Sequence, residues 1–267
     1  MFSTPPLSDN DKNHVVLVLD HFKDDENPEI SYIVMPFLRD INNPLLEIVE
    51  NVIGLCDQLL EGLVFLHEHG VAHRDCAYPN LMMDASALYP LGHHPVNEDS
   101  LPDGGREAPV LPRSSAPLKY YCIDFGISVL IPPQVTTKLV LGTLGRDREV
   151  PELSQTVPYD PFKVDIYIIG NFLRRELHKK YTGLDFLTPL IESMTQENPS
   201  ARPDAPAVLQ QWQSIRCRLW TYQRVLTLHP RNTHFLLRPL ELVKALEGDM
   251  GFVSVNQFCT DSTILVR

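Results

Sequence analysis

The chain has 267 residues, 43% of them hydrophobic, and a formal net charge of -11. That is enough apolar sequence for one large domain or two small lobes, and it argues against global disorder. The acidic balance argues against a general nucleic-acid binder, because a phosphate backbone would be repelled. No apolar run approaches bilayer-spanning length, and Met1 to Asn13 is polar and carries no apolar signal segment. The five cysteines (Cys56, Cys76, Cys122, Cys217, Cys259) are scattered, with no C-x-x-C pair. That spacing argues against a disulfide framework or a zinc site and suggests a reducing intracellular compartment, cytoplasmic or nuclear.

Residues 1–13 read as a loose lead-in. His14 to Phe22 is an apolar, β-branched run that predicts a buried strand, and Ile30 to Met35 predicts a second. The charged turn with Asn27-Pro28 between them makes an antiparallel hairpin the expected pairing. Phe37 to Asn43 reads as a connector. Pro44 suits the first position of a helix, and Val52, Leu55, Leu59, Leu63 and Leu66 then recur at helical spacing up to Gly70 at the C′ position.

A polar stretch follows directly: His73-Arg74-Asp75-Cys76-Ala77-Tyr78-Pro79-Asn80. Alone it reads equally as a polar turn between a helix and a strand. Leu81-Met82-Met83 is a short strand. Residues 84–117, rich in proline and without apolar period, read as a long surface insertion or a disordered segment. Leu118 to Ile123 resumes as a strand and delivers Asp124-Phe125-Gly126. Asp160-Pro161 starts an apolar helix through Ile166, Ile169, Leu173 and Leu177, with Asp165 inside it. Leu184 to Thr195 predicts another helix, ended by Asn198-Pro199-Ser200. Asp204 starts the next, with Val208, Trp212, Ile215 and Leu219 on one face. Pro239 to Leu246 reads as a last helix with Gly248 as its stop.

Taken together, these motifs resemble a eukaryotic protein kinase from the late N-lobe onward, over roughly Val15 to Leu219. His73 to Asn80 matches H-R-D-x-x-x-x-N, followed by D-F-G at Asp124. Val150-Pro151-Glu152 resembles the family's A-P-E, Asp165 its buried helix aspartate, and Arg202-Pro203 its late R-P. The insertion before Asp124 resembles a group of fungal kinase-like proteins. The resemblance implies an α+β, two-lobed fold. Residues 1–40 would be a truncated N-lobe and hinge, 41–228 a mainly helical C-lobe with insertion 84–117, and 229–267 an extension.

The implied activity is transfer of the ATP γ-phosphoryl to serine or threonine of a protein substrate, with no nucleic-acid or membrane partner. Asp75 would orient the hydroxyl and accept its proton, and Asn80 and Asp124 would bind Mg²⁺. Leu38 would offer backbone groups to adenine, and Met82 would lie under the ring. His73 and Phe125 would pack together. Asp165 would accept backbone N–H groups of the loop, and Glu152 would pair with Arg202 in a buried ion pair. Arg74 would meet a phosphate on Thr136, Thr137 or Thr143, and Thr143 has a second candidate role as a hydrogen-bond partner of Asp75.

The sequence also departs from the family. It has no G-x-G-x-x-G and no V-A-I-K lysine, and two strands without their sheet would leave an open apolar face. Ala77 and Pro79 stand where kinases carry a cation beside the catalytic aspartate. The expectation is therefore an incomplete gene product or a degenerate member. A catalytically inactive pseudokinase serving as a binding module or scaffold is the alternative, and a small-molecule kinase of similar fold is a third reading.

Overall fold

The computed structural model describes residues 1–132 and 134–231. The expected hairpin is present: β1 (Asp20–Lys23) and β2 (Ser31–Val34) run antiparallel, with Asp20 opposite Val34. Its turn is organised by Asp24, which accepts N–H bonds from Glu26 and Asn27 and the hydroxyl of Tyr32.

The strand predicted over His14–Phe22 divides in two. Val15 and Val16 are buried, and the N–H of Val16 donates to Cys122 while the N–H of Cys122 donates to His14. Beyond Val16 the chain leaves the core, and Leu19, Phe22, Tyr32 and Ile33 are exposed. Among the described residues no layer covers the hairpin, so its alternating pattern has no face to bury. The lead-in is more ordered than expected. Phe2 is buried with its ring 5.5 Å from that of Phe65, and Asn13 Nδ2 donates to the carbonyls of Phe2 and Leu7.

Helix α1 (Val49–Glu68) carries the predicted apolar stripe, fully buried at Val52, Leu55 and Leu66. It starts later than Pro44. The backbone of residues 47–49 is committed elsewhere: Val49 N–H donates to Leu226 and Leu228 N–H to Glu47. Gly70, at φ +73°, ends it as predicted.

A short strand, β4 (Val71–Ala72), leads into the His73–Asn80 stretch. The central sheet is antiparallel in the order β3 (Arg39–Asp40), β5 (Leu81–Asp84), β6 (Lys119–Cys122). After it, β7 (Val129–Leu130) pairs with β4.

Between β5 and β6, the expectation of a loose insertion is corrected. Its backbone is irregular, but Leu88, Tyr89 and Ala108 join the core. Two buried arginines hold it. Arg39, 1% exposed, donates to Glu98 O and Asp99 Oδ1 and lies over the Tyr89 ring. Arg113, 2% exposed, donates to the carbonyls of Ile41 and Pro44 and to Tyr120 Oη. Arginine carries enough donors to bridge several carbonyls at once, so an irregular segment can be fixed without a ladder of its own.

The remainder is mainly helical, giving the expected α+β fold. A hairpin of β8 (Val140–Gly142) and β9 (Ser154–Tyr159) precedes α2 (Pro161–Phe172), capped by Asp160 accepting Phe162 N–H. The helix continues as a π-helical turn over Leu173–His178. Then come α3 (Thr188–Met194) and α4 (Ala205–Arg216), the latter capped by Asp204. Val208 and Trp212 of α4 are buried, and Trp212 Nε1–H donates to Asp57 of α1. Leu219, placed on the same face from sequence, lies beyond the end of α4. The predicted helix Pro239–Leu246, its stop Gly248, and Cys259 fall outside the described residues. Among the described residues, no helix is long and apolar enough to cross a membrane.

Candidate active site

The site is built where the turn after β4 meets the end of β6. Its foundation is Asp165, wholly buried in α2. A buried carboxylate must be satisfied by donors. Asp165 accepts the backbone N–H of Arg74 at 2.6 Å, the backbone N–H of His73 at 2.8 Å and His67 Nε2–H at 3.0 Å. The loop-holding role expected of it is thus seen directly. Arg74 sits at φ +68°, a conformation uncommon for a side-chain-bearing residue. Two bonds flanking it supply the restraint that keeps it there.

His73 is locked between strands. Its Nε2–H donates to Ile123 O at 3.0 Å, and its Nδ1 accepts Asp75 N–H at 3.3 Å. Burial pushes its pKa below the ordinary histidine value, against the opposing pull of Asp165. The imidazole is therefore neutral, with its proton on Nε2. Its ring lies 4.4 Å from that of Phe125, so the expected packing pair forms.

Asp75 and Asn80 are joined. A short 3₁₀ turn over Tyr78–Asn80 brings Asn80 Nδ2 to Asp75 Oδ2 and to Asp75 O, each at 2.9 Å. Both donors of the amide are spent, and among the described residues no protein group donates to its Oδ1. Asp124 follows β6, and β6 is registered against β5 with Cys122 opposite Leu81. Ile123 N–H donates to Asn80 O at 2.9 Å, which ties the two segments together one residue before Asp124. Asp124 itself is exposed, at φ +63°, with Gly126 N–H near its Oδ1. A free amide oxygen and an exposed carboxylate on adjoining segments suit a hard cation that completes its shell with water and phosphate. Among the described residues, no cluster of three or more His, Cys, Asp or Glu forms a closed metal cage.

Met82 is half-buried and pairs across β3–β5 with Asp40, while its neighbours Leu81 and Met83 are buried in the core. Leu38 is half-buried and immediately precedes β3. The connector is bound to the loop through Tyr78 Oη–H, which donates to Asp40 Oδ1 at 2.5 Å. Burial, and then this bond, push the phenol pKa up.

The segment from Asp124 to Glu152 is held at several points. Arg202, wholly enclosed, pairs with Glu152 through Oε1 at 2.5 Å and Oε2 at 2.9 Å, as expected. Sequence reading missed the rest. Asn171 Nδ2–H donates to buried Asp147 at 2.6 Å, and Arg174 and Arg175 both reach Glu149. Arg74 does not present its guanidinium to the exposed Thr136 and Thr137. It is 8% exposed and donates to Ile127 O, Leu141 O and Tyr159 Oη. Nor does Thr143 bond to Asp75: its hydroxyl accepts from Gln155. Besides Asn80, the Asp75 carboxylate meets Arg146, whose backbone N–H donates to Oδ1 at 2.7 Å and whose Nε lies 3.8 Å from Oδ2. No spacing rule marks Arg146, since it approaches Asp75 across 71 residues of chain.

No family model matches the chain. Calcium/calmodulin-dependent protein kinase type IV of Mus musculus is 33% identical over 113 residues, which is 42% of this chain and 18% of that protein. Serine/threonine-protein kinase PLK4 of Danio rerio is 26% identical over 213 residues, 74% of this chain and 19% of that protein. The chain therefore spans less than a fifth of the length of these curated relatives. Among solved structures, that of the Rad53 kinase domain and SCD2 gives a TM-score of 0.44 at 16% identity, covering 74% of this chain and 71% of that one. The sequence similarities support a protein-kinase-like domain.

Proposed function

We propose that the chain is a protein kinase domain that transfers the ATP γ-phosphoryl to serine or threonine of a protein substrate. The observation that carries this reading is the Asp75–Asn80 pair, joined at 2.9 Å and tied through Ile123 to the segment bearing Asp124. Asp75 holds the acceptor hydroxyl. As the acceptor Oγ bonds to the γ-phosphorus, the bond from phosphorus to the bridging oxygen breaks. Its electron pair leaves with ADP, and the hydroxyl proton passes to the Asp75 carboxylate. Asn80 Oδ1 and Asp124 would hold Mg²⁺, which neutralises phosphate charge when bound. Leu38, just before β3, and Met82, half-buried on the central strand β5, would receive the adenine. In this reading residues 1–40 are the partial N-lobe and hinge, and 41–228 the C-lobe. The buried free thiols of Cys56, Cys76 and Cys122 suit a reducing intracellular setting.

One observation favours the alternative of an inactive pseudokinase acting as a binding module. The loop itself holds no cation beside the proton-accepting carboxylate, since the positions two and four after Asp75 are Ala77 and Pro79. Radiolabel transfer from γ-labelled ATP to dephosphorylated casein separates the two. The kinase reading expects turnover that falls about 10²–10⁴-fold on Asp75→Asn. Parent turnover no greater than that of the variant overturns it, and Mg·ATP-dependent thermal stabilisation without turnover supports the alternative.

A further inference from the structure

A carboxylate beside a transferring phosphoryl group calls for a nearby cation, because that group carries negative charge spread over its three equatorial oxygens. The His73–Asn80 loop supplies none: the positions two and four after Asp75 are Ala77 and Pro79, and Arg74 is turned away and enclosed. We infer that Arg146 is the phosphoryl-facing cation of this site, delivered from the distant segment rather than from the loop. The inference rests on the kinase reading above.

Arg146 is placed by its backbone as well as by its side chain. Its N–H donates to Asp75 Oδ1 at 2.7 Å, which fixes the residue against the carboxylate whatever the guanidinium does. Gly145 makes that approach possible. It lies at φ +124°, and a Cβ there would stand 3.1 Å from Arg74 O and 3.7 Å from Asp75 Oδ1. A side chain at 145 would thus push the segment off the loop. On the other side, Asp147 is buried and accepts from Asn171, so Arg146 is held between two fixed neighbours.

The guanidinium is left available. It is 56% exposed, and its single ion pair among the described residues is the long 3.8 Å approach of Nε to Asp75 Oδ2. Its terminal nitrogens make no other hydrogen bond among the described residues. It borders an open cavity of about 230 Å³ whose lining also includes Ala77, Pro79, Arg175 and the carboxylates of Asp147 and Glu176. An arginine fork with free donors, its Nε 3.8 Å from the proton-accepting carboxylate, is suited to two oxygens of a planar, transferring phosphoryl group. The small Ala77 side chain leaves room for it. In the transfer, Arg146 gives up no proton; it holds charge while the hydroxyl proton passes to Asp75 and the electron pair leaves with ADP.

Binding of Mg·ADP, with and without aluminium fluoride as a mimic of the transferring phosphoryl, tests this by calorimetry on the full chain. Arg146→Ala keeps the backbone N–H and touches no core residue. The expected result is unchanged affinity for Mg·ADP, with affinity for Mg·ADP–aluminium fluoride lowered about 10²–10³-fold. Arg146→Lys should recover part of the loss, as a point charge without the fork. In casein phosphorylation, kcat should fall by a similar factor while the KM for ATP stays within about threefold. Equal binding of the mimic by parent and Arg146→Ala overturns this inference alone. Faster turnover in Arg146→Ala also overturns it, and marks the contact as a latch on Asp75. A parent that binds neither form of the nucleotide overturns the kinase reading and this inference with it.

Discussion

Asp165 holds Arg74 by a bond of 2.6 Å from the Arg74 backbone N–H to Asp165 Oδ1, with Arg74 at φ +68°. Two elements far apart in sequence are welded at a strained residue, and the position of Asp75 follows from that weld. Asp165→Ala leaves the N–H groups of His73 and Arg74 without their partner, together with His67 Nε2. Each buried donor left unmade costs roughly 1–3 kcal/mol. A loss of about 3 kcal/mol or more is expected in urea unfolding, with the near-ultraviolet signal already altered at zero denaturant. A loss below about 1 kcal/mol would mean that the loop holds itself.

Arg202 and Glu152 are expected to behave as a buried pair. Their side chains are 0% and 9% exposed, and Arg202 also donates to Lys163 O and Gln196 O. Arg202→Ala strands the carboxylate and frees those carbonyls, at a cost of about 3–5 kcal/mol. Glu152→Gln keeps the shape and one acceptor and should cost less. Thermal unfolding of the two variants orders them.

Two glycines of α1 should respond in opposite ways to alanine. A Cβ at Gly62 would meet His14 Cβ at 2.8 Å, so Gly62→Ala must displace the buried start of the N-terminal strand. Such overpacking typically costs about 1–3 kcal/mol. Nothing stands within 4 Å of a Cβ at Gly54. Gly54→Ala should stabilise by up to about 1 kcal/mol through helix propensity. Paired urea midpoints check both.

Stability should also depend on pH through His73 and His14. Burial lowers the pKa of each below the ordinary 6.5. The unfolded chain therefore takes up protons first as pH falls. The stability tied to the neutral rings is complete above 6.5 and is lost below it, through the window down to the depressed folded values. Asp57 and Glu61, raised by burial, act in the opposite sense at lower pH. The clean readout is thus a difference: His73→Phe should flatten the decline of the urea midpoint below about pH 6.5 relative to the parent. An unchanged slope would mean that His73 is charged in the folded chain.

Much of this was legible in the sequence where local chemistry decides. Asp160 and Asp204 before their prolines or alanines announce helix starts, and the spacing of Val52, Leu55, Leu59 and Leu63 announces a buried face. The order of Asp75, Asn80, Asp124, Glu152, Asp165 and Arg202 carried the kinase resemblance. What was not legible depends on partners distant in sequence. Pro44 has the right residue type for a helix start, but pairing of residues 47–49 with 226–228 delays α1. Arg39 falls in the expected connector and Arg113 in the expected insertion, yet each is buried because backbone carbonyls of the other segment converge on it. Thr143 was a reasonable partner for Asp75 by position, but Gly145 lets Arg146 come closer. The hairpin was correctly paired, while its burial failed because a strand pattern cannot show whether a covering layer exists.

In the kinase reading, Asn80 and Asp124 would hold a magnesium–nucleotide complex beside Asp75. Calorimetric titration of ADP into the full chain at rising magnesium tests it most directly, with Asp124→Ala alongside. Binding should strengthen with magnesium in the parent and lose that dependence in the variant, which should still fold because Asp124 is exposed, at a small cost from its φ of +63°. Nucleotide binding indifferent to magnesium, or unchanged by Asp124→Ala, would contradict it.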